Sequence, residues 1–222
     1  MKIELVNTGT ELLIGDVVNT NAAWLGQRMT ELGLAVERCT TVPDGAAIET
    51  ALREACARAD VVLVTGGLGP TSDDVSREAA AAVFGLPLDP DENVLRWLEE
   101  YFATRGKTVN EHNKRQAMVP RGAAVLPNPN GTAPGLFIPS NLGKSKNFSC
   151  AVFLLPGPPR ELKPMMADHV EPRLRALFPE GVNRVSRYFK FTGLGESDIS
   201  MALQYDLEKI KGVEIGYCIG KG

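Results

Sequence analysis

A chain of 222 residues, 44% hydrophobic and 23% charged, has the make-up of an ordinary globular protein with room for one full domain and a smaller one. Its net charge of −3 leaves no electrostatic footprint for nucleic acid or an anionic membrane, and no apolar run is long enough to span a bilayer. Cys39, Cys56, Cys150 and Cys218 are scattered, form no C-x-x-C pair and have only His112 and His169 to join them, which argues against zinc and for reduced thiols in a cytoplasmic protein.

The opening Met1-Lys-Ile-Glu-Leu-Val runs straight into a strand over residues 1–8 and lacks a secretory apolar stretch. A turn at Gly9-Thr10-Glu11 follows. Ala22, Leu25, Met29 and Leu32 recur at helical spacing over residues 21–32, with Asn19 or Asn21 as N-cap and Gly33 as the stop. A strand over 34–42, a turn at Pro43-Asp44-Gly45, a helix over 46–59 and a β-branched strand over 60–64 complete this alternation. Strands alternating with helices predict parallel pairing by right-handed crossovers in an α/β sandwich. Ligands in such sheets sit beyond the carboxyl ends of the strands, so the turns at 9–11, 43–44 and 66–74 converge on one edge.

Thr65-Gly-Gly-Leu-Gly-Pro-Thr-Ser-Asp-Asp74 joins the strand over 60–64 to a helix over 75–84 and reads as an anion site, because glycines let backbone N–H groups approach a ligand. It lacks the Gly-Lys-Ser/Thr ending of a Walker A loop, and Gly66, Gly67 and Gly69 do not fit the dinucleotide fingerprint. Asp73 and Asp74 would repel a bare phosphate, so a divalent cation bridging acid and phosphate gives the pair a role. The plain alternative is a helix cap.

Further along, helices are predicted over 92–104, with Trp97 and Phe102 packing inward, and over 110–118. Residues 127–135 are too dense in turn formers for regular structure, and 140–149 read as a polar hairpin tip. A buried strand over 151–155 ends in Pro156-Gly-Pro-Pro159 and a helix over 160–169. A boundary is expected within 171–181, dividing the chain into residues 1–172 and 173–222. The second part reads as strand (185–191), helix (196–210) and strand (213–219), a small α+β appendage, and the chain reads as the front part of a longer protein.

Four stretches, taken together, resemble the N-terminal region of the CinA (competence/damage-inducible) proteins, within the molybdopterin-binding-like superfamily. They are Thr8-Gly-Thr-Glu-Leu-Leu with Gly15 and Asn19-Thr-Asn21; Thr65–Asp74; Asn128-Pro-Asn-Gly-Thr-Ala-Pro-Gly135 with Asn113, Gln116 and Pro120 upstream; and Leu155-Pro-Gly-Pro-Pro-Arg-Glu161. Thr192-Gly-Leu-Gly-Glu-Ser-Asp198 is similar to the start of the CinA middle domain. The resemblance implies a three-layer α/β/α fold, a homodimer, and metal-dependent hydrolysis of the pyrophosphate bond of ADP-ribose or a related nucleotide to AMP and ribose 5-phosphate. Nothing in the chain corresponds to the family's C-terminal deamidase domain. The insertion near Ser140–Asn147 exceeds the family's usual hairpin.

By motif, the two aspartates of the related adenylating enzymes match Asp44 and Asp74. Asp44, Asp74 and Asp73 are therefore the expected ligands of a divalent ion (magnesium, manganese or cobalt). Gly66, Gly67 and Gly69, with Pro70 and Thr71, would receive a phosphate, beside Gly9 and Thr10. Glu11 is the candidate general base or a supporting residue behind the ligands, with a helix cap as the plain alternative. Asn130, Gly131 and Thr132 would wrap the nucleotide, or form a structural loop. Gly157 and Glu161, with Arg160 reaching phosphate, complete the expected site, though Arg160 and Glu161 also read as surface residues. A molybdopterin adenylyl-transfer enzyme and a non-catalytic nucleotide- or pterin-binding module are the alternatives.

Overall fold

The computed structural model of the chain describes residues 2–142, 149–178, 187, 189–207, 209–213 and 215–217. A six-stranded sheet runs in the order β2-β1-β3-β8-β7-β6. Its parallel half comprises β2 (Val36–Val42), β1 (Ile3–Thr8), β3 (Val61–Thr65) and β8 (Ala151–Leu155). β7 (Gly135–Ile138) runs antiparallel to β8, and β6 (Ala124–Leu126) antiparallel to β7. β4 (Leu88–Pro90) and β5 (Met118–Pro120) form a separate antiparallel pair.

β1, β3 and β8 are buried at every position, so successive side chains enter two different cores. Val6, Val62, Val64, Val152 and Leu154 pack with α3 (Ala47–Cys56) and α4 (Ser76–Phe84) on one face. Ile3, Leu5, Val61, Leu63 and Phe153 pack on the other with α2 (Thr20–Glu31), α7 (Pro159–Met165) and α8 (Glu171–Leu177). The result is a three-layer α/β/α sandwich. A third, smaller cluster joins α5 (Glu92–Ala103) to Ala117 and Val125.

Three details depart from the sequence expectation. The turn at Gly9–Glu11 winds into a short helix, α1 (Thr10–Leu13). The helix expected over 110–118 is α6 (Glu111–Lys114) and a 3₁₀ turn over Arg115–Ala117, after which Met118 turns extended to enter β5. Chain division falls later than residue 172: the first unit runs through Arg184 and the second begins at Val185. Pro172 lies in the first turn of α8, where a missing N–H costs little, and a wide π turn over Met166–Val170 carries the helical path into it.

The described part of the second unit contains α9 (Glu196–Leu207), with no buried side chain. The strands expected over 185–191 and 213–219 lie in part outside the described residues; their described positions carry no strand. Residues 143–148 of the insertion likewise lie outside them. Cys39, Cys56 and Cys150 are free thiols, and Cys218 falls outside the described residues. No described helix is long and apolar enough to cross a membrane.

Candidate functional site

The sheet turns polar at its carboxyl edge. Asn7, Thr8 and Thr65 are buried there, and the Thr65 hydroxyl donates to Asn7 Oδ1 at 3.0 Å. A cleft of about 440 Å³ opens above this edge. The expected residues Gly9, Glu11, Asp44, Gly66, Gly67, Gly69, Pro70, Asp73, Asp74, Gly131, Thr132, Gly157 and Glu161 line it together, and Arg160 joins them. Thr10, Thr71 and Asn130 do not.

The glycine loop is held from behind. Gly66 continues the sheet, donating its N–H to Leu155 O at 2.9 Å, so that group is not free for a ligand as expected. Gly66 and Gly67 have φ of +95° and +68°, which a side chain at either position would strain. A Cβ at Gly67 would also strike Ser76 Oγ. Ser76 ties the loop to α4: its hydroxyl donates to Gly66 O at 2.8 Å and its N–H to Gly67 O at 3.0 Å. Arg77, fully buried, donates to Leu68 O at 2.6 Å and Gly69 O at 3.2 Å. With the carbonyls turned back toward α4, the N–H groups of Gly67, Leu68 and Gly69 make no hydrogen bond among the described residues. Burial pushes the Arg77 guanidinium below its ordinary pKa, yet an arginine keeps its charge. A fixed positive charge thus lies under three free donors.

The two matched aspartates face the cleft from opposite loops, each fastened by a threonine. Asp44 Oδ2 accepts from Thr10 N at 2.9 Å and from its hydroxyl at 3.2 Å, and Asp44 N donates back to Thr10 Oγ1 at 3.3 Å. Asp74 Oδ2 accepts from Thr71 N at 3.0 Å and from the Thr71 hydroxyl. Thr10 and Thr71, expected at the ligand, orient its acids instead. Asp74 is no cap of α4, which starts at Ser76 without a side-chain cap. The Thr71 hydroxyl and the backbone N–H of Asp73 hold the Asp73 carboxyl below the usual carboxylate range; a single O–H proton serves one of the two acids at a time. Glu11 is exposed at the start of α1, and its carboxylate accepts no hydrogen bond among the described residues, so it caps nothing. Asn130 is exposed, its N–H donating to Asn128 Oδ1 at 3.2 Å.

Among the described residues no three His, Cys, Asp or Glu side chains cluster as a ready metal cage. Asp44 and Asp74 each bond through Oδ2 and leave Oδ1 outside those bonds. That donor set fits an ion held jointly with phosphate oxygens and water, the usual habit of magnesium.

Several contributors were given no role by the sequence. Tyr101, from α5, lines the cleft, as does Gln116, whose motif carried no role. Gln116 is fully buried; its Nε2 donates to Thr132 Oγ1 at 3.2 Å, while Oε1 has no partner among the described residues. Thr8 Oγ1, beneath the glycine loop, also lacks one among them. A buried arginine behind the loop has no signature at all, since arginines are rarely buried.

This geometry defines an α/β protein with its site beyond the carboxyl ends of parallel strands. Residues 4–176 match the family model described as "Probable molybdopterin binding domain". The chain is 51% identical, over its full length, to a "CinA-like protein" of Akkermansia muciniphila, and covers 52% of that relative. The crystal structure of the protein CinA with unknown function from Thermoplasma acidophilum superposes with a TM-score of 0.69 at 32% identity, over 78% of this chain and 98% of that one. The tungsten cofactor synthesizing protein MoaB from Pyrococcus furiosus shares the fold at a TM-score of 0.51 and 16% identity, over 82% and 97%. The chain belongs to the molybdopterin-binding domain family, among its CinA-like members. It spans about half the length of the curated relative.

Proposed function

We propose that this cleft hydrolyses the pyrophosphate bond of ADP-ribose or a related nucleotide with the help of a divalent metal. The observation that carries the reading is the pairing of free N–H groups at Gly67, Leu68 and Gly69 with the carboxylates of Asp44 and Asp74 in one cleft. The N–H groups take one phosphate, and Arg77 adds charge behind them. A bound ion would neutralise phosphoryl charge and acidify a water, with Asp44 and Asp74 as its ligands and Asp73 beside them. Glu11, which accepts no hydrogen bond among the described residues, accepts the proton of the attacking water; the water oxygen joins phosphorus as the pyrophosphate oxygen leaves. Gln116 Oε1 accepts from a ligand hydroxyl or N–H, and Arg160 meets phosphate at the rim.

The test is product identification: ADP-ribose incubated with the chain and metal yields AMP and ribose 5-phosphate. A second reading is a module that binds nucleotide or pterin without turning it over, since the N–H groups of Gly67, Leu68 and Gly69 can receive a phosphate with no metal present. Tight binding of intact ADP-ribose, with no AMP formed under any metal, would select it.

A further inference from the structure

We propose that a second cavity beside the cleft is the seat of the ligand's planar, amino-bearing heterocycle, a nucleobase or a pterin. This rests on the reading of the cleft as a phosphate site. The cavity measures about 460 Å³ and is walled by Val94, Trp97, Val125, Met165 and four prolines. Among the described residues no lysine or arginine lines it, whereas Asp91, Glu161 and Asp168 do, so it suits a ring carrying N–H donors and disfavours a phosphate.

The two cavities share one residue. Glu161 lines both and is buried; its Oε2 accepts from Asn128 Nδ2 at 2.8 Å, while among the described residues Oε1 accepts no hydrogen bond and meets Arg160 in a 3.7 Å ion pair. A buried carboxylate with an open oxygen between an apolar cavity and a phosphate-binding cleft suits an exocyclic amine. α5 spans the same pair: Trp97 faces the apolar cavity and Tyr101, one helical turn on, the cleft, with ring centroids 5.5 Å apart. Stacking on Trp97 then holds the ring while the glycine loop holds the phosphate.

Trp97 reports on its own cavity. The chain has two tryptophans, and Trp24→Phe leaves Trp97 alone to emit. The probes are adenosine, 6-hydroxymethylpterin and ribose 5-phosphate. Saturable quenching by adenosine or the pterin, with none by ribose 5-phosphate, is expected, and the ring that quenches identifies the ligand. Glu161→Gln should weaken that quenching. Absence of quenching by both heterocycles, or equal quenching by ribose 5-phosphate, would overturn the proposal whether or not the chain hydrolyses ADP-ribose. Quenching without hydrolysis would instead sink the catalytic reading and leave the subsite standing. In turnover, Trp97→Ala should raise KM for ADP-ribose about tenfold with little change in kcat, and Trp97→Phe should restore most of the loss.

Discussion

At Asp44 and Asp74 one carboxylate oxygen is spent on a threonine and the other is left over. Asparagine keeps an acceptor for the threonine N–H but loses the charge, so Asp44→Asn and Asp74→Asn should fold normally and lose at least about 100-fold in kcat. Unchanged circular dichroism with lost turnover checks this; wild-type turnover in Asp74→Asn would reduce that residue to a turn-former. Arg77 belongs to a different class. Arg77→Leu strands the carbonyls of Leu68 and Gly69, and unfolding in urea should show a loss of about 2 kcal/mol, with phosphate affinity falling as well. The aspartates were legible because a short motif marks them. Arg77 was not: its role comes from the turn that brings Leu68 and Gly69 back over α4, which no local pattern encodes.

The glycine loop works as one element between β3 and α4, with Ser76 as its fastening. Gly67→Ala meets both an unfavourable φ and the Ser76 hydroxyl, at a cost of about 1–3 kcal/mol taken locally. The expected outcome is loss of inorganic phosphate binding by calorimetry with only a modest fall in melting temperature. Asn19 caps α2 by accepting from Ala22 N at 2.9 Å, and Asn19→Ala should cost about 1 kcal/mol. Asn21, the other candidate, reaches Gly157 O at 2.6 Å and so ties α2 to the cleft's rim. Elements with several turns of periodicity, such as α2, α3 and α5, could be read from sequence. β4, β5 and β6 have three residues each, and β7 opens on a glycine, too little for an alternating pattern to register. Their strand character comes from pairing with neighbours, so the antiparallel half of the sheet emerged only in three dimensions.

For the whole molecule, the sheet buried on both faces accounts for the stability of the first unit, with α2, α7 and α8 on one side and α3 and α4 on the other. α9 of the second unit buries no side chain, leaving Met201 and Tyr205 exposed. The parallel α/β sandwich was legible from alternating strands and helices, and its three layers from the family resemblance, whereas the apolar cavity beside the cleft was not, because α5 and residues 125–134 meet there only after folding. The most direct test of the central claim is AMP release from ADP-ribose, measured with magnesium, manganese, cobalt or EDTA for the wild-type chain and Asp74→Asn in parallel. Metal-dependent release by the wild type that EDTA and Asp74→Asn both abolish is the predicted result. Release that persists in EDTA, or no release with any of the three metals, would contradict it.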